Sequence, residues 1–332
     1  MARKVTFITG QWADLPFTEV CRKAREFGYD GLEVACWGDH FDVLEGAKSK
    51  AYCDERRKIL ADNGLGCWAL ATHLAGQLTT DPNTDARSDG FCMDKSCWGD
   101  PEKKRVWAVE QMLAAADAAK NMGVEVVTGF MGSPIWHMWY SFPPASKKMI
   151  DDGFAMVREI WTPILEKFKK NGIKFALEVH PTEIAFDAWS AQRLLDEFDN
   201  DPTLGFNFDP SHLQWQGMDP VRFLRRFIDR VYHVHVKDVA VNMDGEAGLL
   251  GSHLEFGDLR RGWDFRSPGR GDVDFDGIVR VLNAGNYQGP LSVEWEDPGM
   301  DREYGAREAC QFVRKVDFDP SKIAFDGAFE TK

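Results

Sequence analysis

The amino-acid sequence predicts an α/β fold, a (β/α)₈ TIM barrel with long βα loops, formed as a single domain over residues 1–332. Eight short apolar segments alternate with amphipathic segments of helical period, which is typical of parallel strands covered by helices. The length of 332 residues suits one barrel with insertions, since such barrels have about 250 residues and often more. No low-complexity linker divides the chain. A doubly wound open sheet is the structural alternative.

The predicted strands are short apolar runs, as expected for strands that are buried on both faces. They are Val5–Thr9, Gly31–Cys36, Gly66–Ala71, Val124–Gly129, Ile173–Val179, Leu204–Phe208, Val231–Val236 and Leu291–Trp295. Helical patterns between them include Thr18–Phe27, Pro101–Met122, Gly153–Lys170, Trp189–Phe198, Asp219–Phe227 and Phe275–Asn283. Four of these helical patterns are followed, directly or within two residues, by a glycine: Gly28, Gly123, Gly172 and Gly285. We expect these glycines to take the left-handed conformation that ends a helix.

Three strand-to-helix connections are long, over residues 74–100, 130–152 and 239–272. In such barrels these loops lie at the C-terminal face, where active sites are built. The loops are rich in aromatic residues, including Trp98, Trp136, Trp139, Tyr140, Phe142 and Trp263. Aromatic faces suit the C–H faces of sugars, although large loops also need small cores of their own. The loops favour a substrate larger than a free pentose.

Composition and charge limit the class of partner. The net charge of −13 disfavours nucleic acid, because an acidic protein repels phosphate backbones. The first residues read as a strand rather than as the apolar part of a secretory signal. The uncharged stretch 126–146 contains glycines and prolines, which argue against a membrane span. Seven scattered cysteines without a CxxC pair indicate reduced thiols, and we therefore expect a cytoplasmic protein.

The strongest functional signal is a set of polar residues that share one face at the ends of the last four strands. Residues two apart in a strand point to the same side. The aligned side chains are Glu178 and His180, then Asn207 and Asp209, then His233, His235 and Lys237, then Ser292, Glu294 and Glu296. Ionisable groups in a barrel mouth are costly unless they are paired or bound to a metal. Two Glu, one Asp and one His suit Mn²⁺, Mg²⁺ or Co²⁺, with Zn²⁺ as a further candidate.

These motifs resemble the xylose isomerase-like barrel superfamily of sugar phosphate isomerases and epimerases, over essentially the whole chain. The resemblance rests on FALEVH, FDPSH, HVHVKD and SVEWED, with GYDGLEVACW and SPGRGDVDF in support. It implies that Glu178, Asp209, His235 and Glu294 bind one divalent metal ion, with Mn²⁺ as the first expectation. The superfamily includes ketose 3-epimerases, inosose dehydratase, hydroxypyruvate isomerase and AP endonucleases. The AP endonucleases bind three zinc ions through many more histidines than the eight of this chain, which argues against DNA repair.

The resemblance also implies further site residues. His212 matches a contact to a substrate hydroxyl, and Arg270 in PGRGD matches the region of a substrate-binding arginine. We also assign Glu33, His73 and Lys237 to substrate binding. His180, in the run EVHPTE, resembles a base of related enzymes that cleave 3-keto-glycosides by elimination, including bacterial C-deglycosidases.

Three functions are open at this stage. The first is a sugar isomerase or epimerase that forms an enediolate from a keto-sugar, with Glu178 and Glu294 as acid and base and His180 as a further base. The second is a metal-dependent lyase or dehydratase that cleaves a 3-keto-glycoside by β-elimination. The third is a non-catalytic sugar-binding or partner subunit, which retention of all four metal ligands disfavours. We expect a small-molecule sugar or glycoside as substrate, no nucleic acid and no membrane. A homo-oligomer or a small partner subunit is compatible with the sequence.

Overall fold

The structure is a computed structural model that describes residues 3–321, and its centre is a closed barrel of eight parallel strands. The described residues form ten strands, of which all but β8 and β9 belong to the barrel. In chain order they are β1 (Val5–Ile8), β2 (Gly31–Ala35), β3 (Gly66–Ala71), β4 (Val126–Gly129), β5 (Lys174–Glu178), β6 (Leu204–Phe208), β7 (Val231–Val236), β8 (Asp238–Val241), β9 (Trp263–Arg266) and β10 (Leu291–Val293). Strands β1 to β7 pair in sequence, and β10 closes the ring between β7 and β1. The predicted (β/α)₈ barrel is therefore confirmed, and the open-sheet alternative is wrong.

Helices surround the barrel. They are α1 (Phe17–Phe27), α2 (Val43–Lys48), α3 (Lys50–Asp62), α4 (His73–Leu78), α5 (Pro101–Met122), α6 (Lys147–Asn171), α7 (Ala188–Glu197), α8 (Pro210–Gln214), α9 (Pro220–Phe227), α10 (Phe275–Ala284) and α11 (Arg302–Val316). All six predicted helical segments are present, and α6 begins six residues earlier than predicted, at Lys147 instead of Gly153. The predicted long loop over residues 130–152 is accordingly shorter, because its last residues form the first turns of α6.

Three of the four predicted left-handed glycines are confirmed, with φ of +97° at Gly28, +75° at Gly123 and +74° at Gly172. The prediction is wrong for Gly285, whose φ is −84°, because Asn286 takes the left-handed conformation in its place with φ of +53°. Gly285 is required for a different reason. A Cβ atom there would lie 2.1 Å from Cγ1 of Ile228, so the backbone approaches that side chain too closely for any other residue.

The barrel strands alternate between apolar and polar side chains. Outward-facing residues pack under the helices, as where Phe175 contacts Trp161 at a ring-centroid distance of 4.7 Å and Phe168 at 5.7 Å. The inward-facing residues of the same strands are polar and fully buried: Thr6, Glu33, Thr128, Asn207, His233, His235 and Ser292. Buried polar groups need hydrogen-bond partners or ions. The alternation therefore concentrates charge along the barrel axis.

A β-hairpin, which the sequence did not predict, forms part of the long connection between β7 and β10. Strands β8 and β9 are antiparallel, and Asp238 is the partner of Arg266 in their register. Among the described residues these two strands form a sheet of their own beside the barrel. Trp263 of β9 stacks on Trp215 with ring centroids 4.4 Å apart and an angle of 4° between the planes. The hairpin thus packs over the residues that follow β6.

Two further sequence expectations are tested by the described residues. No helix among residues 3–321 is both long and apolar enough to cross a membrane. All seven cysteines are free thiols, and five of them are buried.

Candidate metal centre and active site

Four predicted ligands meet at the C-terminal end of the barrel. Glu178 ends β5, Asp209 directly follows β6, His235 lies in β7 and Glu294 directly follows β10. One ligand atom from each of these residues lies within 4.8 Å of the others. All four side chains are almost completely buried. The structure therefore brings together the set that the strand alternation predicted.

The donor atoms of this cluster fit a cation. Nδ1 of His235 lies 2.8 Å from Oε2 of Glu294 and 3.2 Å from Oε2 of Glu178. Oε2 of Glu294 and Oδ2 of Asp209 are buried and accept no well-aligned hydrogen bond. Burial raises the pKa of Asp209 to about 6, and the charge of Glu178 acts in the same direction against the opposing charge of His212. A divalent ion would relieve this crowding, and three carboxylates with one imidazole suit Mn²⁺, Mg²⁺, Co²⁺ or Zn²⁺.

Glu33 supports the cluster from below, and this corrects its assignment to substrate binding. Its side chain is 0% exposed, and Oε2 accepts hydrogen bonds from Nε2 of His233 at 2.9 Å and Nε2 of His235 at 3.0 Å. Ser292 donates to the same oxygen at 2.8 Å, and Thr128 donates to Oε1. Burial alone would raise the pKa of Glu33, but the charges of His235 and His233 hold it well below its usual range. Glu33 faces the barrel axis beneath the cluster and is not among the residues that line the cavity above it.

Three histidines line the cavity above the cluster. Nε2 of His212 lies 3.3 Å from Oε1 of Glu178 and 3.6 Å from Oδ2 of Asp209. Nε2 of His73 lies 3.1 Å from Oε2 of Glu178. The ring of His180 meets that of His212 edge-on at a centroid distance of 4.0 Å. His73 and His212 therefore both contact the carboxylate of Glu178, and His180 packs against His212 at the edge of the cavity.

Lys237 supplies the positive charge of the site. Its Nζ lies 3.0 Å from Oε1 of Glu294 and 3.2 Å from Oε1 of Glu296. Burial opposes the charge of Lys237, but the two glutamates hold its pKa above its ordinary value. Gln11 donates from Nε2 to Glu294 at 2.9 Å and to Glu296 at 3.2 Å. The sequence analysis gave Gln11 no role, although its position just beyond the end of β1 is the signal that could have identified it.

Arg270 is not brought to this site. Its guanidinium pairs in a bidentate manner with Glu308, with Nε–Oε2 of 2.7 Å and Nη2–Oε1 of 2.8 Å. The side chain is about half exposed and is not among the residues that line the cavity. The substrate-binding assignment of Arg270 therefore has no geometric support. The segment that carries it is fixed instead through Asp238, whose carboxylate accepts the backbone N–H groups of Gly269 and Gly271 at 2.9 Å.

A cavity of about 960 Å³ opens above the cluster. Its floor is polar and is formed by Gln11, Glu178, His180, His212, Lys237, Glu294 and Glu296. Its sides are mainly apolar, and the residues that form them include Trp37, Leu74, Phe91, Phe130, Trp136, Trp139, Tyr140, Phe186, Trp215, Leu249, Leu250, Phe256, Trp263 and Phe265. We call this second set the aromatic wall. Most of it comes from the three long loops that the sequence analysis placed at this face.

A buried carboxylate, Glu183, and a half-buried one, Asp81, fix the loop that follows β4. Glu183 accepts the backbone N–H groups of Met131 at 2.7 Å and Gly132 at 2.8 Å, and Asp81 accepts that of Ser133 at 2.7 Å. Burial raises the pKa of Asp81 to about 6. Burial and the charge of Asp81 raise the pKa of Glu183 well above its usual range. These contacts connect the loop after β4 to the loop that carries His180.

Two known proteins are similar to this chain in sequence. The YfiH protein of Bacillus subtilis (strain 168) is 24% identical over 326 residues, which cover 94% of this chain and 99% of that protein. An inosose dehydratase of Clostridium perfringens (strain 13 / Type A) is 30% identical over 160 residues, which cover 46% of this chain and 53% of that enzyme. The alignment with the dehydratase thus spans about half of each chain.

Solved structures agree with the barrel at low sequence identity. The apo form of the 3-keto-D-glucoside 4-epimerase YcjR from E. coli has a TM-score of 0.64 at 17% identity, covering 94% of this chain and 99% of that one. The IolI protein with a bound zinc atom has a TM-score of 0.60 at 17% identity, covering 94% and 96%. Such identities show the fold alone. The family model of the xylose isomerase-like TIM barrel matches residues 21–316, and the chain therefore belongs to that family.

Proposed function

We propose that the protein is a divalent-metal-dependent sugar isomerase or epimerase that acts on a keto-sugar through an enediolate intermediate. The observation that carries this proposal is the cluster of Glu178, Asp209, His235 and Glu294 on the polar floor of a large cavity. The chain belongs to a family whose members include epimerases and dehydratases, so this chemistry is within the range of its relatives. We place the protein in the cytoplasm on the sequence evidence given above.

The four cluster residues would hold one divalent ion, with Mn²⁺ as our first choice and Mg²⁺, Co²⁺ or Zn²⁺ as alternatives. When bound, such an ion supplies Lewis acidity toward a carbonyl oxygen and a neighbouring hydroxyl. The buried Oε2 of Glu294 and Oδ2 of Asp209 support this assignment, since neither accepts a well-aligned hydrogen bond. The zinc atom of the IolI protein shows that a protein of this fold can bind a divalent metal.

Glu178 and Glu294 are the groups that we assign to proton transfer. Burial would raise the pKa of Glu294, but Lys237 and His235 together outweigh burial and keep the carboxylate ionised. Burial likewise opposes ionisation of Glu178, and its contacts with His212, His235 and His73 outweigh that effect. One ionised carboxylate takes the proton from a carbon beside the carbonyl and, now protonated, returns that proton to the neighbouring carbon in an isomerisation. In an epimerisation the other carboxylate, which must first take a proton from solvent, delivers it to the opposite face of the same carbon. Lys237 and His212 donate hydrogen bonds to substrate oxygens.

A lyase is the second candidate, and His180 favours it. Its ring lines the cavity against Phe130, with ring centroids 5.0 Å apart, and it lies outside the cluster of metal-binding atoms. In β-elimination the same proton is removed from the carbon beside a 3-keto group, and the electron pair expels the leaving group from the next carbon. Burial, together with the neighbouring charge of His212, holds the pKa of His180 well below its usual value, so its imidazole is neutral. His180 would therefore take this proton from the carbon and deliver it to the departing oxygen or carbon. Inosose dehydratase, a lyase by name, is among the relatives.

Proton exchange with solvent tests the proposed function. The metal-loaded protein is incubated in D₂O with a panel of ketoses, keto-sugars and 3-keto-glycosides, and the products are analysed by NMR. We expect deuterium at one carbon beside the carbonyl of at least one substrate, with an isomer or epimer as product. Release of a leaving group with deuterium exchange would establish the lyase instead. Absence of exchange with every member of the panel would contradict both enzymes and favour a non-catalytic sugar-binding subunit.

A further inference from the structure

The cavity above the cluster has a polar part and an apolar part. Its floor carries carboxylates, imidazoles, an amide and an ammonium group, whereas its sides form the aromatic wall. A sugar needs hydrogen-bond partners around its hydroxyl groups, and the floor provides them. The aromatic wall extends well beyond those polar groups, and the loops after β4, β5, β6 and β7 contribute side chains to it.

The volume of the cavity exceeds what a free sugar requires. The cavity measures about 960 Å³. Sites for drug-sized ligands range from roughly 300 to 1,000 Å³, so this one lies at the upper end of that range. A free ketose or hexose, with about a dozen heavy atoms, is smaller than such ligands and would leave much of the aromatic wall in contact with water. The sugar therefore occupies only a part of the site.

The aromatic wall consists of packed rings. Trp136 and Trp139 contact Phe186 at centroid distances of 5.5 and 5.0 Å, and Trp215 stacks on Trp263 at 4.4 Å. These contacts fix the rings before a ligand binds, which lowers the entropic cost of binding.

A second sugar is a poor occupant of this part of the cavity. Aromatic rings can cover the C–H face of a sugar, but its hydroxyl groups also need hydrogen bonds. The cavity is lined outside its floor by the polar residues His137, Thr182, Gln216, Ser252 and Arg261 as well, yet the apolar side chains of the aromatic wall outnumber them, so most hydroxyl groups of a second sugar would lose their contacts with water without replacement. A planar apolar group loses nothing in this way. It gains burial and ring contacts with the aromatic wall.

We propose that the aromatic wall is a subsite for a planar aromatic aglycone, so that the natural substrate is an aryl glycoside or its keto derivative rather than a free sugar. This inference rests on the proposed function in one respect, namely that the sugar part binds on the polar floor. Trp136 and Phe186 are the specificity-determining residues of the subsite, since their rings contact each other at the cavity side.

Binding of glucosides that do not react tests this proposal separately from catalysis. Phenyl β-D-glucopyranoside, methyl β-D-glucopyranoside and cellobiose are titrated into the metal-loaded protein by calorimetry. We expect the phenyl glucoside to bind about tenfold to a hundredfold more tightly than the methyl glucoside, because one aromatic ring becomes buried. Equal affinities would overturn the proposal. Tighter binding of cellobiose than of the phenyl glucoside would also overturn it, in favour of a second sugar.

Matched variants locate the effect. Trp136→Ala and Phe186→Ala should each remove most of the preference for the phenyl glucoside and leave the affinity for the methyl glucoside unchanged. Trp189→Ala is the control, because Trp189 is 76% exposed on α7 and does not line the cavity. A preference that survives both wall variants, or that is lost equally in the control, would contradict the assignment.

A sugar-free probe separates failure of this proposal from failure of the proposed function. If neither glucoside binds, titration with 2-naphthol shows which of the two proposals has failed. Saturable binding that is lost in Trp136→Ala supports the aromatic subsite even if the sugar assignment is wrong, whereas absence of binding overturns the subsite. Conversely, the phenyl preference together with no solvent exchange on any keto-sugar would leave the subsite standing and contradict the proposed reaction.

Discussion

Glu33 and His235 form a buried pair in which Nε2 of the histidine donates to Oε2 of the glutamate at 3.0 Å. A carboxylate can only accept, so this contact places a proton on Nε2 and leaves Nδ1 to face the carboxylates of Glu178 and Glu294. The pair thus sets which nitrogen is available to a metal ion. Such outer contacts orient metal-binding histidines in many proteins.

Replacement of Glu33 should weaken metal binding without removing a ligand. We expect Glu33→Gln to lower the affinity for Mn²⁺ about tenfold to a hundredfold, because a neutral amide no longer fixes the orientation and tautomer of His235. Calorimetric titration of the chelator-treated protein measures the affinity. Glu308→Gln is the matched control, since Glu308 pairs with Arg270 at the surface. Wild-type affinity in Glu33→Gln would show that His235 is positioned by its strand alone.

Removal of a ligand should have a larger effect. Wild-type protein analysed by elemental mass spectrometry should contain about one divalent ion per chain, and chelator should remove it together with activity. Asp209→Asn should lower the metal content, because an amide is a poorer ligand for a hard cation than a carboxylate. The exposed Asp62→Asn serves as the control. Full activity of the metal-free protein would contradict a metal-dependent reaction.

A variant of His212 shows whether this residue binds the metal ion or the substrate. Its Nε2 faces both Glu178 and Asp209, yet His212 is not one of the four clustered metal-binding residues. We expect His212→Ala to keep its metal and to lower kcat/KM about tenfold to a hundredfold through loss of a hydrogen bond to a substrate oxygen. Metal content and steady-state kinetics are measured on the same preparation. If the metal is lost, His212 is a ligand and the assignment of four ligands is incomplete.

His180 separates the two enzymatic reactions. His180→Gln should retain the fold and the metal and lower turnover roughly 10²-fold or more, the usual contribution of a positioned acid or base. Loss of solvent exchange in D₂O identifies His180 as the base. Exchange that persists while product formation stops identifies it as an acid toward a leaving group, which favours elimination. Wild-type exchange and turnover in the variant would assign proton transfer to Glu178 or Glu294.

The carboxylate of Asp81 should make the fold less stable at higher pH. Its pKa is raised to about 6 in the folded protein, whereas an unfolded chain has a value of about 3.9. Stability from the protonated form is therefore present below about pH 4 and is lost as the pH rises through about 6. As the pH rises from 4 to 7, the free energy of unfolding of Asp81→Asn should increase relative to that of the wild type by on the order of 2 kcal/mol. Urea unfolding at a series of pH values measures this difference, with the exposed Asp62→Asn measured in parallel.

The sequence pattern predicted the barrel and the cluster because both depend on alternation within single strands. Residues two apart share a face, so the positions of the strands were enough to predict that Glu178, Asp209, His235 and Glu294 point inward. Alternation gives the face of a residue but not its depth. Glu33 also points inward, yet it lies below His235 in the layer that supports the site, and only the three-dimensional register of the strands shows this.

Contacts between distant segments could not be predicted from the sequence pattern. Arg270 looked free to bind a substrate, but its partner Glu308 lies 38 positions later in the chain, on helix α11. The hairpin of β8 and β9 was missed for a similar reason. Its strands are only four residues each and are separated by a long loop, and they pair with each other rather than with the barrel. Local periodicity carries no information on such pairings.

The separate hydrogen bonding of that hairpin has an evolutionary consequence. The barrel ladder closes through β7, β10 and β1 without any contribution from β8 or β9. Insertions, deletions and substitutions over residues 239–265 therefore break no hydrogen bond of the barrel ladder, whose register sets the spacing of the four metal-binding residues. This segment is the part of the molecule in which new specificities can arise by drift or laboratory selection while the reaction itself is inherited unchanged.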